Sequence, residues 1–186
     1  MNLPNILTFA RILLVPFFAV LYLSDWEQRY TWTAALFALA AFTDWLDGYI
    51  ARKFNQTTPF GAFIDPVADK IIVATALVLV VGHYHHLWLT IPALVIVGRE
   101  IVISALREWM AEMNRRGQVA VSWFGKVKTT VQMLAIVVLL ATPPWVNAAW
   151  TIIGYLLLYA AAALTLFSMA LYLRAAWPAL KAGLDS

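Results

Sequence analysis

Two stretches of this sequence place carboxylates beside apolar runs. DWLDGYIARKF, starting at Asp44, closes the run TWTAALFALAAF, and GAFIDPVADK, starting at Gly61, leads into another. Asp44, Asp47, Gly48 and Ala51 recur at i, i+3, i+4 and i+7, one face of a helix. Gly61, Asp65 and Asp69, at i, i+4 and i+8, also share a face. If the two faces point at each other, four carboxylates surround a small cavity. Its glycines and alanine permit close helix approach or leave room for a ligand. Ionised carboxylates so close repel one another and are costly at membrane depth. Either some are protonated, as in a proton relay, or divalent cations neutralise them. Hard cations such as Mg²⁺ and Mn²⁺ prefer oxygen ligands, and Mg²⁺ sites commonly combine carboxylates with substrate phosphates. Two such ions about 3.5–4 Å apart could clamp a phosphoryl group for in-line displacement. The physical rival is a cation transporter with a carboxylate-lined pathway. For any one Asp taken alone, simple solvation at a membrane interface competes.

The elements that must position these acids follow from composition. Of the 186 residues, 63% are hydrophobic and 12% charged, with mean hydropathy +0.78. A soluble domain carries about 25% charged residues, so the chain reads as an all-α, polytopic membrane protein. With no cysteine, disulfides, thiolate catalysis and cysteine zinc sites are excluded. Nucleic acid is not an expected partner; the lipid bilayer is. Nothing resembles a cleaved secretory signal, since the first apolar segment lacks a preceding basic stretch. A spanning helix needs about 20 apolar residues. Six segments qualify, roughly 5–23, 31–53, 60–82, 87–113, 125–142 and 149–174. The alternative for the N-terminus is that MNLPNILTFAR lies as an interfacial helix before the first span. Short polar connections leave no room for a second domain, so residues 1–186 form one unit. Pro143-Pro144 breaks the chain between the last two spans.

Lys and Arg set the orientation. Arg52, Lys53, Arg107, Arg115, Arg116, Lys126, Lys128, Arg174 and Lys181 fall on the side shared by both termini; the other side holds Arg29. The positive-inside rule puts the termini, and with them the Asp cluster, on the cytoplasmic face, as in a bacterial inner membrane.

The pattern D-x-x-D-G-x-x-A-R, an eight-residue gap, then G-x-x-x-D-x-x-x-D resembles the signature of the CDP-alcohol phosphotransferase family. Asp44, Asp47, Gly48, Ala51, Arg52, Gly61, Asp65 and Asp69 fill it. The resemblance implies transfer of a substituted phosphate from a CDP-linked donor to an alcohol, with release of CMP. It implies that Asp44, Asp47, Asp65 and Asp69 hold two divalent cations, Mg²⁺ or Mn²⁺, and that Asp69 also acts as general base. Gly48, Ala51, Arg52 and Gly61 would line the cytidine and pyrophosphate site. The family is often homodimeric.

The signature does not choose the acceptor. LPNILTFARILLVPFF, VGREIVISALRE and GKVKTT resemble the branch that joins CDP-diacylglycerol to sn-glycerol 3-phosphate; serine and inositol phosphate are the alternatives within the family. A phosphorylated acceptor needs cations beyond those serving the donor. Arg99, Arg107, Lys126 and Lys128 are the candidates. The two lysines project to nearly opposite sides of a helix, so one of them is expected to reach the cavity. Pairing with an Asp for Arg99, and with Glu108 for Arg107, competes with substrate binding. Asn5, Thr8 and Arg11 form a polar cluster in the first turns, open to helix capping, headgroup binding or contact with the donor phosphates.

The remaining features read as structural. His83, His85 and His86 are expected in a solvated outer loop. Trp26, Trp32, Trp88, Trp145 and Trp150 flank the spans as interfacial anchors. The strip AAAALTLF in the last span suits close helix packing and a dimer contact.

Overall fold

The structure, a computed structural model, describes residues 3–53, 58–113, 123–145 and 148–184. Within these ranges the side chains of 3, 4, 45, 47–52, 59, 62, 123, 124, 126, 148 and 182–184 lie outside the described set. Among the candidate site residues, the side chains of Asp47, Gly48, Ala51, Arg52 and Lys126 are therefore outside it; Arg115 and Arg116 are outside it altogether.

The described residues form helices α1 (Leu3–Leu23), α2 (Arg29–Lys53), α3 (Pro59–Tyr84), α4 (Leu87–Glu112), α5 (Trp123–Ala141) and α6 (Ala148–Leu184). Local signals explain the boundaries. Thr58 caps α3 by accepting from the Gly61 amide at 2.9 Å, and Pro59 follows at the first helical position, where a missing N–H costs nothing. His85 ends α3 in the left-handed region, φ 52°, with its N–H bonded to the Val81 carbonyl. α5 stops one residue before Thr142-Pro143-Pro144.

The N-terminal stretch does not form a separate interfacial helix: α1 runs unbroken from Leu3 through Pro16 to Leu23. α6 continues ten residues beyond the expected end at 174. The reason is packing. Ala176 and Ala179, with Tyr172, bury against Ile103, Leu106 and Met110 of α4.

α1 packs on α2 and α3, α2 on α5, α3 on α4 and α5, and α6 on both α4 and α5. The shared core contains Phe18 and Tyr22 of α1, Phe37 of α2, Leu77 of α3, Ile96 of α4, Leu139 of α5 and Leu158 of α6. At Gly154 of α6 an added Cβ would lie 2.6 Å from Leu139 Cδ2, so α5 and α6 approach too closely for a larger residue. Ala161 and Ala162 of the alanine strip face this core, while Ala160 and Ala163 are exposed.

The outer surface is apolar: Phe17, Val20, Leu94, Ile101 and Leu156 are all exposed. An apolar surface this extensive suits lipid. α1, α4 and α6 are long and apolar enough to cross a membrane, over Asn5–Leu23, Leu87–Glu112 and Ala149–Lys181. α2 and α3 carry the acids of the motif, and the apolar part of α5 is the shorter run Val127–Ala141. The named tryptophans are exposed, as anchors must be, and Trp26 stacks on Trp32.

His83 departs from the expected solvated loop. α3 extends through Tyr84, which turns His83 inward on the face of Ala76 and Val80. Its Nε2 lies 2.7 Å from Tyr30 Oη, and the rings of Tyr22, Tyr30 and Trp145 surround it. His85 and His86 are exposed, as expected.

Candidate active site

One stripe of α1 builds the first half of the site. Asn5, Thr8, Arg11, Val15, Phe18 and Tyr22 follow one another at steps of three or four residues, and all are buried. The inner part of the stripe is core. The outer three positions are polar, and each meets the cap or a carboxylate of α2 or α3.

Arg11 is the centre of this contact. Its Nη1 donates to Asp44 Oδ1 of α2 at 2.7 Å and to Asp69 Oδ1 of α3 at 2.5 Å. The Arg11 side chain is 1% exposed, whereas Asp44 and Asp69 are 41% and 44% exposed. The cation is thus sealed behind two carboxylates that open to the outside. Three residues earlier, Thr8 Oγ1 donates to Asp65 Oδ1 at 2.6 Å. The two Asp stretches therefore do meet, and α1 is what joins them. Arg11, Asp44 and Asp69 line a cavity closed below by Phe37, Ala40 and Ile72, with Met133 of α5 on one side.

Gly61 has a structural reason to be glycine. A Cβ there would lie 2.7 Å from Asn5 Oδ1 and 3.1 Å from Thr58 Oγ1. Thr58 Oγ1 donates to that same Asn5 oxygen at 3.1 Å. The absent side chain lets the start of α3 press against α1, which sets the depth at which Asp65 and Asp69 enter.

The sequence places all four acids on facing helix surfaces; the structure brings Asp44, Asp65 and Asp69 to α1. Among the described residues no three carboxylate or imidazole groups gather as a ready ligand set, and Asp47 lies outside them. The pair Asp44–Asp69 nonetheless has the chemistry of a cation site, because both carboxylates already share one cationic nitrogen.

A second polar cluster joins α4, α5 and α6. Arg99, buried in α4, donates from Nη1 to Glu100 Oε1 at 3.1 Å and from Nη2 to Ser168 Oγ of α6 at 3.1 Å. Lys128 of α5, also buried, donates to the same Glu100 oxygen at 2.6 Å. Arg107 donates to Tyr172 Oη at 2.8 Å, and the Tyr172 ring lies under both guanidinium groups, 5.0 Å from Arg107 and 5.7 Å from Arg99. Two cations, Arg99 and Lys128, thus share one carboxylate, and Arg107 joins them through Tyr172. Arg99 and Arg107 each keep a buried Nε without a hydrogen-bond partner among the described residues. Among the described residues of this cluster the cations outnumber the carboxylates. Met133, five residues along α5 from Lys128, lines the carboxylate cavity, so α5 runs past both clusters.

Among the described residues Arg99 pairs with Glu100 rather than an Asp, and Arg107 bonds Tyr172 rather than Glu108. Of the two lysines, Lys128 reaches inward. Sequence reasoning missed Glu100, Ser168 and Tyr172, and missed that Arg11 touches the acids directly. The signal for Arg11 was present in its place on a stripe that is otherwise core. Nothing local marks Ser168 or Tyr172, which are defined by a helix far away in sequence.

The model of the family described as CDP-alcohol phosphatidyltransferase matches residues 1–173. A Pseudomonas fluorescens protein named CDP-diacylglycerol–glycerol-3-phosphate 3-phosphatidyltransferase is 55% identical over 183 residues, 97% of this chain and 93% of the relative. Proteins of the same name from Salmonella typhimurium and Escherichia coli K12 are each 53% identical, covering 94% of this chain and 94% of their own length.

Proposed function

Because the chain belongs to the CDP-alcohol phosphatidyltransferase family, we propose that it transfers the phosphatidyl group of CDP-diacylglycerol to sn-glycerol 3-phosphate, giving phosphatidylglycerophosphate and CMP. The relatives carry the name of that reaction over nearly the whole chain. The observation that carries the catalytic reading is the bridge from Arg11 to Asp44 and Asp69, which unites the two halves of the motif in one cavity.

In this reading Asp44, Asp47, Asp65 and Asp69 hold two divalent cations, Mg²⁺ or Mn²⁺, which would neutralise the donor pyrophosphate and make CMP a better leaving group. Thr8 orients Asp65, as outer partners orient metal ligands. Gly48, Ala51, Arg52 and Gly61, with Asn5 and Arg11, line the donor's head. The acceptor hydroxyl attacks the phosphorus bonded to the diacylglycerol oxygen. A new P–O bond forms, the pyrophosphate P–O bond breaks, and CMP departs with the electron pair. Asp69 takes the hydroxyl proton.

The cationic cluster serves the acceptor. Arg99, Arg107 and Lys128 would bind its phosphate, with Lys126, two residues earlier in the chain, as a further candidate. Arg99 and Lys128 share Glu100 while Arg107 is held by the neutral Tyr172, which leaves an excess of positive charge suited to a phosphate monoester. Serine offers only a carboxylate offset by its own ammonium, with no net negative charge to answer that excess.

We place all six helices as membrane spans of one domain covering residues 1–186, with both termini and the site on the cytoplasmic face of a bacterial inner membrane. The acids of α2 and α3 then sit at one membrane face, and the lipid tails of the donor enter sideways. A homodimer completes the proposal.

The test is incorporation of labelled glycerol 3-phosphate into solvent-extractable lipid by purified protein given CDP-diacylglycerol and Mg²⁺. Incorporation that requires the donor supports the reading. Incorporation of labelled serine instead would replace the acceptor.

A further inference from the structure

We propose that Arg11 is a resident counter-cation of the carboxylate centre, holding the place of a metal ion in the metal-free protein and yielding it when the metal binds. The inference rests on the reading of the Asp cluster as a metal centre.

The geometry is specific. One nitrogen, Nη1, takes Oδ1 of Asp44 and Oδ1 of Asp69 together, at 2.7 and 2.5 Å. A cation shared by those two oxygens would have to stand where Nη1 stands. The carboxylates are more than two-fifths exposed and Arg11 is 1% exposed, so an ion arriving from outside meets the acids first and the guanidinium behind them. Without a cation at this point, carboxylates from two helices would face each other across the cavity and repel.

Two opposite effects on metal affinity follow from such a bridge. Arg11 could aid binding by keeping the carboxylates in register, or oppose it by competing for their oxygens and adding positive charge. The packing decides which wins. Directly below the bridge, Val15 and Phe18 of α1, Phe37 and Ala40 of α2, and Ile72 and Ala76 of α3 are buried in one core. That core keeps the three helices in register whether or not Arg11 bridges them. Register is thus supplied from below, and competition remains as the main effect of Arg11. Its planar fork of donors also suits phosphate oxygens, which is the contact expected of this residue once a donor is bound.

The experiment is Mn²⁺ titration of metal-stripped protein in detergent, by calorimetry and by the electron paramagnetic resonance signal of unbound Mn²⁺. Wild type, Arg11→Gln, Arg11→Lys and Asp44→Asn are compared, each with its melting temperature with and without Mn²⁺. Arg11→Gln should bind Mn²⁺ about tenfold more tightly than wild type, the effect of one charge contact. It should melt lower without metal and gain more from Mn²⁺ than wild type does. Arg11→Lys, whose ammonium is a compact and more strongly hydrated charge, should fall between. If Arg11→Gln does not fold, Arg11→Lys decides: tighter binding than wild type upholds the proposal. Equal or weaker Mn²⁺ affinity in the Arg11 variants overturns it. If Asp44→Asn also loses binding in that case, the metal centre stands and the counter-cation alone falls. No Mn²⁺ binding by wild type or any variant overturns both.

Discussion

Lys128 Nζ lies 2.6 Å from Glu100 Oε1, joining α5 to α4 where the two helices otherwise meet little. Both are anchored instead on α6, and Arg99 of α4 reaches the same Glu100 oxygen. The acceptor reading turns on this cluster. Lys128→Met should raise the KM for glycerol 3-phosphate about tenfold, the effect of one charged contact. The KM for CDP-diacylglycerol should stay within about twofold of wild type. Steady-state kinetics with each substrate varied in turn checks this; equal effects on both KM values would remove Lys128 from the acceptor site.

Glu100→Gln tests the same contact from the other side. It leaves Lys128 buried without its anion and should cost about 2 kcal/mol, less than a fully buried pair because Glu100 is partly exposed. Thermal unfolding should then show partial recovery in the double variant Glu100→Gln/Lys128→Met, since the stranded charge is gone.

The carboxylate site predicts a graded loss of activity. Asp69→Asn should lower kcat about 10³-fold, within the range for removal of a positioned base. Thr8→Val removes the hydrogen bond to Asp65 and should cost about tenfold, as for partners that orient ligands. CMP release at saturating substrates measures both. A larger loss for Thr8→Val than for Asp69→Asn would contradict the assignment.

Gly61→Ala should destabilise the protein by about 1–3 kcal/mol, because its Cβ would lie 2.7 Å from Asn5 Oδ1. Asn5→Ala removes the clashing atom. The double variant should therefore melt higher than Gly61→Ala alone.

At the far end of α3, Tyr30→Phe removes the hydroxyl that meets His83 Nε2 and accepts from Arg29 Nη2, while keeping the ring contacts. The expected cost is about 1 kcal/mol of stability. kcat should be unchanged, since His83 stands fourteen residues beyond Asp69, about 20 Å along the helix.

Much of this architecture was legible in the sequence because helical periodicity and the bilayer constrain it strongly. The segments at 87–113 and 125–142 match α4 and α5 to within two residues. The Asp faces were legible because i, i+3 and i+4 spacing fixes a helix face regardless of context. What was not legible depends on partners. Arg11 and Thr8 could equally have capped a helix or met headgroups until α1 was placed against α2 and α3. Glu100 was not singled out, and its role appears only when Lys128 arrives from α5. His83 was misread because the end of α3 was set two residues early, which put an inward-facing residue into the loop. The extension of α6 was missed because its warrant is the α4 surface rather than its own hydropathy.

Phosphatidyl transfer to glycerol 3-phosphate is read out by CMP release from CDP-diacylglycerol with Mg²⁺ or Mn²⁺, comparing glycerol 3-phosphate, serine and inositol phosphate, with Asp69→Asn as control. Release is expected with glycerol 3-phosphate, with little for the others and loss in the Asp69 variant. Preferential release with serine or inositol phosphate would contradict the acceptor assignment. No release with any alcohol would contradict the reaction itself.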